Sequence, residues 1–128
     1  MDCMVTHKGY AEQRRQRKNG RSWARYQHAA AGTFTGPHID HDDLSESVHS
    51  YLQQLGGQCI VVAWYREELC EDELDTDPSK WYDQLKGLTS FSCAIMHGEC
   101  TIGMRANTVH MVFTAQAKEQ FTFHMYPH

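Results

Sequence analysis

No stretch of this sequence is apolar for long enough to cross a membrane, and residues 1–20 lack the apolar core of a secretory signal. The five cysteines, Cys3, Cys59, Cys70, Cys93 and Cys100, are odd in number and include no C-x-x-C pair. That argues against both a zinc knuckle and a disulfide framework. G-x-S-x-G, the P-loop and G-x-G-x-x-G are all missing, so the common hydrolase and nucleotide-binding signatures have no counterpart. There is no internal repeat and no low-complexity segment. What these absences leave is an intracellular protein, nuclear or cytoplasmic, with reduced thiols and no membrane partner. Cys59 and Cys93 lie in apolar runs and are expected in the core.

The 128 residues are enough for one domain with one core. Mean hydropathy is low, but three Trp, five Phe and six Tyr argue for a folded chain. Charge is uneven: residues 1–30 carry a net +5 and the remainder a net -9. Arg14, Arg15, Arg17, Lys18, Arg21 and Arg25 supply the basic cluster. It reads first as a solvated leader over 1–21, and second as an arm for nucleic acid or an acidic partner. The folded domain is expected over 22–128.

Residues 10–18 allow a short helix. Ser22–Ala31 reads as a strand, and Thr33–Asp40 as a second one interrupted by Gly36–Pro37. The segment 42–55 is ambiguous. Leu44, Val48, Tyr51, Leu52 and Leu55 have helical spacing, while Gly56–Gly57 suits a hairpin turn before the buried strand QCIVVAWY. Arg66–Asp77 reads as an acidic solvated loop, and Pro78 as the start of a short helix through Trp81, Leu85 and Leu88. FSCAIMH, CTIGMR, VHMVFTAQ and QFTFHMY then read as strands, with His97–Gly98–Glu99, Ala106–Asn107 and Ala117–Lys118 as turns. At least seven strands, and eight on the fullest count, predict a mainly all-β sandwich or barrel.

His38-Ile39-Asp40 is the segment with chemical content. Alternate residues of a strand share a face, so His38 and Asp40 point together, an imidazole beside a carboxylate. His110, in the apolar strand Thr108–Phe113, is the expected third ligand of a facial triad for a divalent metal. His7, His28 and His128 have no partner in sequence. Cys93 or Cys100 with His97 or His110 lacks the setting of a thiol nucleophile. The carboxylates between Glu67 and Asp77 form a run, and a run is usually solvated.

Thr35-Gly-Pro-His38-Ile-Asp40 resembles the metal-binding strand of Jumonji C (JmjC) domains, and Gly98-Glu99 through Thr108-Val-His110-Met-Val-Phe resembles their later segment with the distal His. Leu55-Gly-Gly-Gln58-Cys-Ile-Val-Val is similar to the hairpin between them, and the resemblance spans about 22–126. It implies a double-stranded β-helix, the cupin jelly-roll barrel, with one or two short helices, and a strand rather than a helix over 48–55. It implies His38, Asp40 and His110 as ligands of Fe(II). The implied activity is 2-oxoglutarate-dependent hydroxylation or demethylation of a protein or small-molecule substrate. Many members place a Lys where this chain has Gln58, so Gln58 and Thr35 are the residues expected to anchor 2-oxoglutarate. Arg66 and Lys118 are the nearest substitute cations. The alternatives are a catalytically silent JmjC-like module that binds metal or a partner, and a cupin that uses its metal without 2-oxoglutarate.

Overall fold

The computed structural model describes residues 22–40 and 49–125. Expectations for the basic leader, for a helix over 10–18 and for the start of 42–55 lie outside that range. Six strands occur among the described residues: β1 (Ser22–Ala29), β2 (Phe34–His38), β3 (His49–Tyr65), β4 (Ser92–His97), β5 (Cys100–Met104) and β6 (Thr108–Met125). One short helix, α1 (Trp81–Leu85), follows a 3-10 turn at Pro78–Lys80. Asp77 caps that turn by accepting from the Ser79 amide, and Pro78 stands where a missing N–H costs nothing. No helix among the described residues is long and apolar enough to cross a membrane.

The long strands β3 and β6 pair antiparallel along their length and form the spine of the sheet. Each half of the spine has its own flanks. The first half of β3 pairs β5, and the second half of β6 pairs β1. The second half of β3 pairs β4, and the first half of β6 pairs β2. The halves meet at a cluster of register shifts between Gln54 and Cys59. There the inward set of β3 changes phase, from Ser50, Leu52 and Gln54 to Cys59 and Val61. An inserted residue does this in a strand and bends it. Gly57 makes the bend with φ +95, and a Cβ there would lie 2.3 Å from the Ala117 carbonyl oxygen. Only glycine fits that approach.

The bend folds the two halves over each other. Leu52 and Met104 of one half pack with Cys59, Val61, Met96 and Val112 of the other. Buried Gln54 spans the seam, its amide donating to the carbonyls of Gly57, Met96 and Gly98. On the outer face of the β3–β6 half, Trp64, Val109 and Met111 pack under Leu74, Leu85, Trp81 and Leu88. Cover over Val62 and Trp64 on the outer face, added to the buried inner face at Cys59 and Val61, explains why QCIVVAWY is apolar without alternation there.

The strand expected over 48–55 agrees with the structure from His49 on, residue 48 lying outside the described residues; the strands across 91–104 also agree, as does the helix after Pro78, which ends at Leu85 rather than Leu88. Four others are corrected. Gly56–Gly57 is not a hairpin turn: it is a register shift within the single strand His49–Tyr65. Ala117–Lys118 is not a turn: VHMVFTAQ and QFTFHMY are one 18-residue strand. The count of at least seven strands becomes six among the described residues, because β3 and β6 each serve both halves by bending. Cys93 is exposed, since it shares the outer face of β4 with Ile95, where no helix covers it. Ile95 ends a cross-strand row, Phe34–Phe113–Ile60–Ile95, in which Phe34, Phe113 and Ile95 are exposed.

Candidate metal centre

β6 has the same inward phase on both sides of its bend, where Gln116 is exposed. His110, Val112, Thr114, Lys118, Gln120, Thr122 and His124 are all buried, while Phe113 and Glu119 face outward. β2 runs beside its first half, with His38 directly opposite His110. The two imidazoles lie 4.2 Å apart between ring centres, tilted at 52° to each other. Asp40, just beyond β2, turns its carboxylate back between them. Its Oδ1 is 3.3 Å from His38 Nε2 and 3.2 Å from His110 Nε2, and its Oδ2 is 3.4 Å from His124 Nε2. His110 and His124 are 3% and 1% exposed, so the cluster sits inside the barrel with His38 at its open side.

The outer nitrogens of the first two rings are fixed by backbone. His38 Nδ1 lies 2.7 Å from the Gly36 carbonyl oxygen and His110 Nδ1 lies 3.3 Å from that of Thr108. A carbonyl only accepts, so each Nδ1 carries the proton. In the neutral rings Nε2 is then a lone pair, and both lone pairs face a carboxylate oxygen. Three acceptors cannot share a pocket without a cation among them, either protons on Nε2 or a metal ion. Ligand atoms about 2.1 Å from one ion and at right angles stand about 3 Å apart, close to what is seen here. The residues therefore fit a divalent ion.

Without a metal, electrostatics within the cluster are strong. Burial alone would raise the Asp40 pKa, but the contacts from His110, His124 and His38 outweigh it and hold the carboxyl far below the usual range. The hydrogen bond to Asp40 raises the His38 pKa against the opposing effect of burial, with help from the Gly36 carbonyl.

A cavity opens beside the cluster, lined by Arg25, Thr35, His38, Asp40, His110, Lys118 and Gln120 among others. Thr35 lines it. Gln58 does not: the bulge at Gly56–Gly57 shifts the alternation by one, which puts Gln58 on the outer side with Ile60 and Val62 and makes Cys59 the inward residue. Two cations line the cavity, exposed Arg25 and buried Lys118, which is 5% exposed and whose ammonium donates to the Gln120 side-chain oxygen at 3.1 Å. Among the described residues no carboxylate pairs with it, and burial lowers its pKa. Arg66 lies away from the site and pairs with Glu71 at 2.9 Å.

The sequence reading brought His38, Asp40 and His110 together but missed His124 and did not place Lys118. A signal for both was present. Gln120, Thr122 and His124 alternate with Phe121 and Phe123, and the same even phase runs back through Lys118 to His110. Reading Ala117–Lys118 as a turn broke that phase in two.

No protein-family model matches the chain, and no curated protein matches it in sequence. Solved structures do resemble it. A protein from Bacillus halodurans aligns with a TM-score of 0.55 at 14% identity, over 84% of this chain and 64% of its own. A cupin superfamily protein from Desulfitobacterium hafniense aligns at 0.51 and 8% identity, over 84% of this chain and 69% of its own. The cupin domain of an XRE-family transcriptional regulator from Enterobacter cloacae aligns at 0.53 and 8% identity, over 87% of each chain. This chain thus spans just under two-thirds of the Bacillus protein. Likeness at such identities speaks for architecture alone. By that architecture, two bent strands with flanking strands closed over a polar centre, the chain has the cupin fold.

Proposed function

We propose that the barrel holds one Fe(II) through His38, Asp40 and His110 and oxidises a substrate with 2-oxoglutarate as the co-reductant. The observation that carries this reading is Lys118. A buried ammonium whose partner among the described residues is an amide oxygen is costly, and a small carboxylic acid entering the cavity would relieve it. An acid with a metal-chelating end and a second carboxylate matches a wall that has a donor triad and a lysine. Bound iron would supply the activation of O₂, and two His with one carboxylate leave positions open for that. The chain's own residues bind and orient. The Gly36 and Thr108 carbonyls hold the ligand tautomers, Thr35 offers a hydroxyl, and Gln120 steadies Lys118.

The direct test is anaerobic titration of purified protein with Fe(II) and 2-oxoglutarate. Binding of 2-oxoglutarate that requires the metal and weakens in Lys118→Met supports the reading. Metal uptake without any 2-oxoglutarate binding removes the oxygenase assignment.

A second reading has one observation behind it. The outward row Phe34–Phe113–Ile60–Ile95 is an apolar stripe of a kind that suits a partner protein. A silent metal- or partner-binding module would use that face and not the cavity. Phe113→Lys with Ile95→Lys would then abolish function while leaving metal affinity unchanged.

A further inference from the structure

We propose that His124 is a positioning residue for the metal centre: it holds the far oxygen of Asp40, so that the carboxylate meets the ion through Oδ1 alone. The inference rests on the metal reading above and adds what decides the number of open positions at the ion.

The geometry divides the carboxylate. Oδ1 faces His38 Nε2 and His110 Nε2, whereas Oδ2 faces His124 Nε2 at 3.4 Å. The potential ligand atoms of His38, Asp40 and His110 lie within 4.8 Å of one another, and His124 is outside that group. It therefore stands behind the carboxylate and not around the ion. It reaches this place because β6 has the same inward phase on both sides of its bend, and it is among the most fully buried side chains of the barrel.

The chemical consequence is a count. A carboxylate binds a cation through one oxygen or through two. With one, two imidazoles and a carboxylate fill three of six positions. A chelating acid takes two more and the sixth remains open. With two, no position remains once the acid has bound. A buried Oδ2 with no donor behind it would turn to the ion, because that is the nearest way to satisfy it. His124 Nε2 stands 3.4 Å from Oδ2 without the alignment of a hydrogen bond; as a donor to that oxygen it would remove the incentive, as outer partners of ligating carboxylates do.

The test uses Mn(II) and oxalate as probes on the full chain, in wild type, His124→Gln and His124→Met. Glutamine keeps a donor near Oδ2, and methionine fills the volume without one. Mn(II) affinity, the number of exchangeable waters on Mn(II) from proton relaxation, and oxalate affinity are measured for each. We expect wild type and His124→Gln to agree. His124→Met should keep Mn(II) affinity within about threefold, lose about one water, and weaken oxalate by about tenfold. Equal water counts and equal oxalate affinity in all three proteins overturn the proposal. So does an equal collapse of Mn(II) affinity in both variants, which would make His124 a ligand. If His124→Met fails to fold, the wild type decides: infrared spectra on Mn(II) binding should show the wide carboxylate splitting of one-oxygen ligation, and a narrow splitting overturns it. Absence of any Mn(II) binding by wild type is a separate result, which removes the metal reading and this inference with it.

Discussion

His110 and His124 belong to one strand, 14 positions apart, yet their Nε2 atoms stand 3.2 and 3.4 Å from the two oxygens of Asp40. A straight strand of that length would separate them by about 45 Å. β6 must therefore curl most of the way around the barrel to bring both ends to one carboxylate. The site and the curvature are the same feature, and whatever disturbs the bend should disturb the metal centre.

Metal uptake should follow the cluster and not histidine content. His38→Ala or His110→Ala should lower the affinity for a divalent ion at least tenfold, while His28→Ala, whose side chain is exposed, should leave it unchanged. Calorimetric titration with Zn(II) or Ni(II) measures this, since both outrank Fe(II) in affinity. In the wild type a hundredfold excess of ion over Kd should stabilise the fold by about 2.7 kcal/mol.

The stability of metal-free protein and the gain in stability on adding metal should respond to pH with opposite sign. The His38 pKa is raised by Asp40, so in metal-free protein its contribution is complete below the ordinary imidazole value and fades as pH rises through the shifted one. Asp40 is shifted down, so its contribution persists through this range and is lost only in strong acid. Metal-free protein should therefore lose Tm as pH rises above about 6.5, the ordinary imidazole value. Metal must displace protons from the imidazoles, so the rise in Tm on adding metal should grow over the same range. Thermal unfolding at several pH values, with and without Zn(II), reads both slopes. A metal-induced shift that does not change with pH would contradict imidazole ligation.

Gly57→Ala should cost about 3 kcal/mol or more in unfolding free energy. The new methyl would press on the Ala117 carbonyl and on Lys118 Cα, 2.7 Å away, and φ +95 is strained for alanine. Gly36→Ala, with open space around it, should cost far less. Because the bend joins both halves of β6, the Gly57 variant should also lose metal affinity, although it touches no ligand.

Local pattern revealed much of this protein. His-x-Asp in an extended segment put two ligands on one face, and an apolar strand around His110 marked the third. Turn residues located the β4–β5 hairpin, with Gly98 at φ 65. The rest depends on long-range geometry. Ala-Lys in mid-strand looks like a turn because nothing local distinguishes a bend from a reversal. That error hid the continuity from His110 to His124. Similarly, a one-residue change of register around Gly56–Gly57 reverses every side chain of β3 after it, and alternation counted from either end gives a different answer for Gln58.

Lys118 and Gln58 make the sharpest contrast. The resemblance at sequence level assigned the 2-oxoglutarate anchor to the position of Gln58, where a lysine would restore a missing charge. Gln58 now lies on the outer face, and the cavity already contains a lysine from the other long strand. Gln58→Lys should therefore leave 2-oxoglutarate affinity unchanged. Lys118→Met should weaken it by roughly ten- to a hundredfold, the equivalent of about 1.5–3 kcal/mol for a charge-assisted hydrogen bond. Lys118→Arg should retain part of the affinity, since its charge persists but its fork needs more room. Thr35→Val should cost less, about 1 kcal/mol, the loss of one neutral donor. Titration calorimetry of the metal-loaded variants separates these cases. A gain in Gln58→Lys with no loss in Lys118→Met would return the anchor to β3 and require the barrel to rearrange at its bulge. A loss in Lys118→Met that a longer diacid does not share would show that the lysine measures the distance from the metal to the second carboxylate.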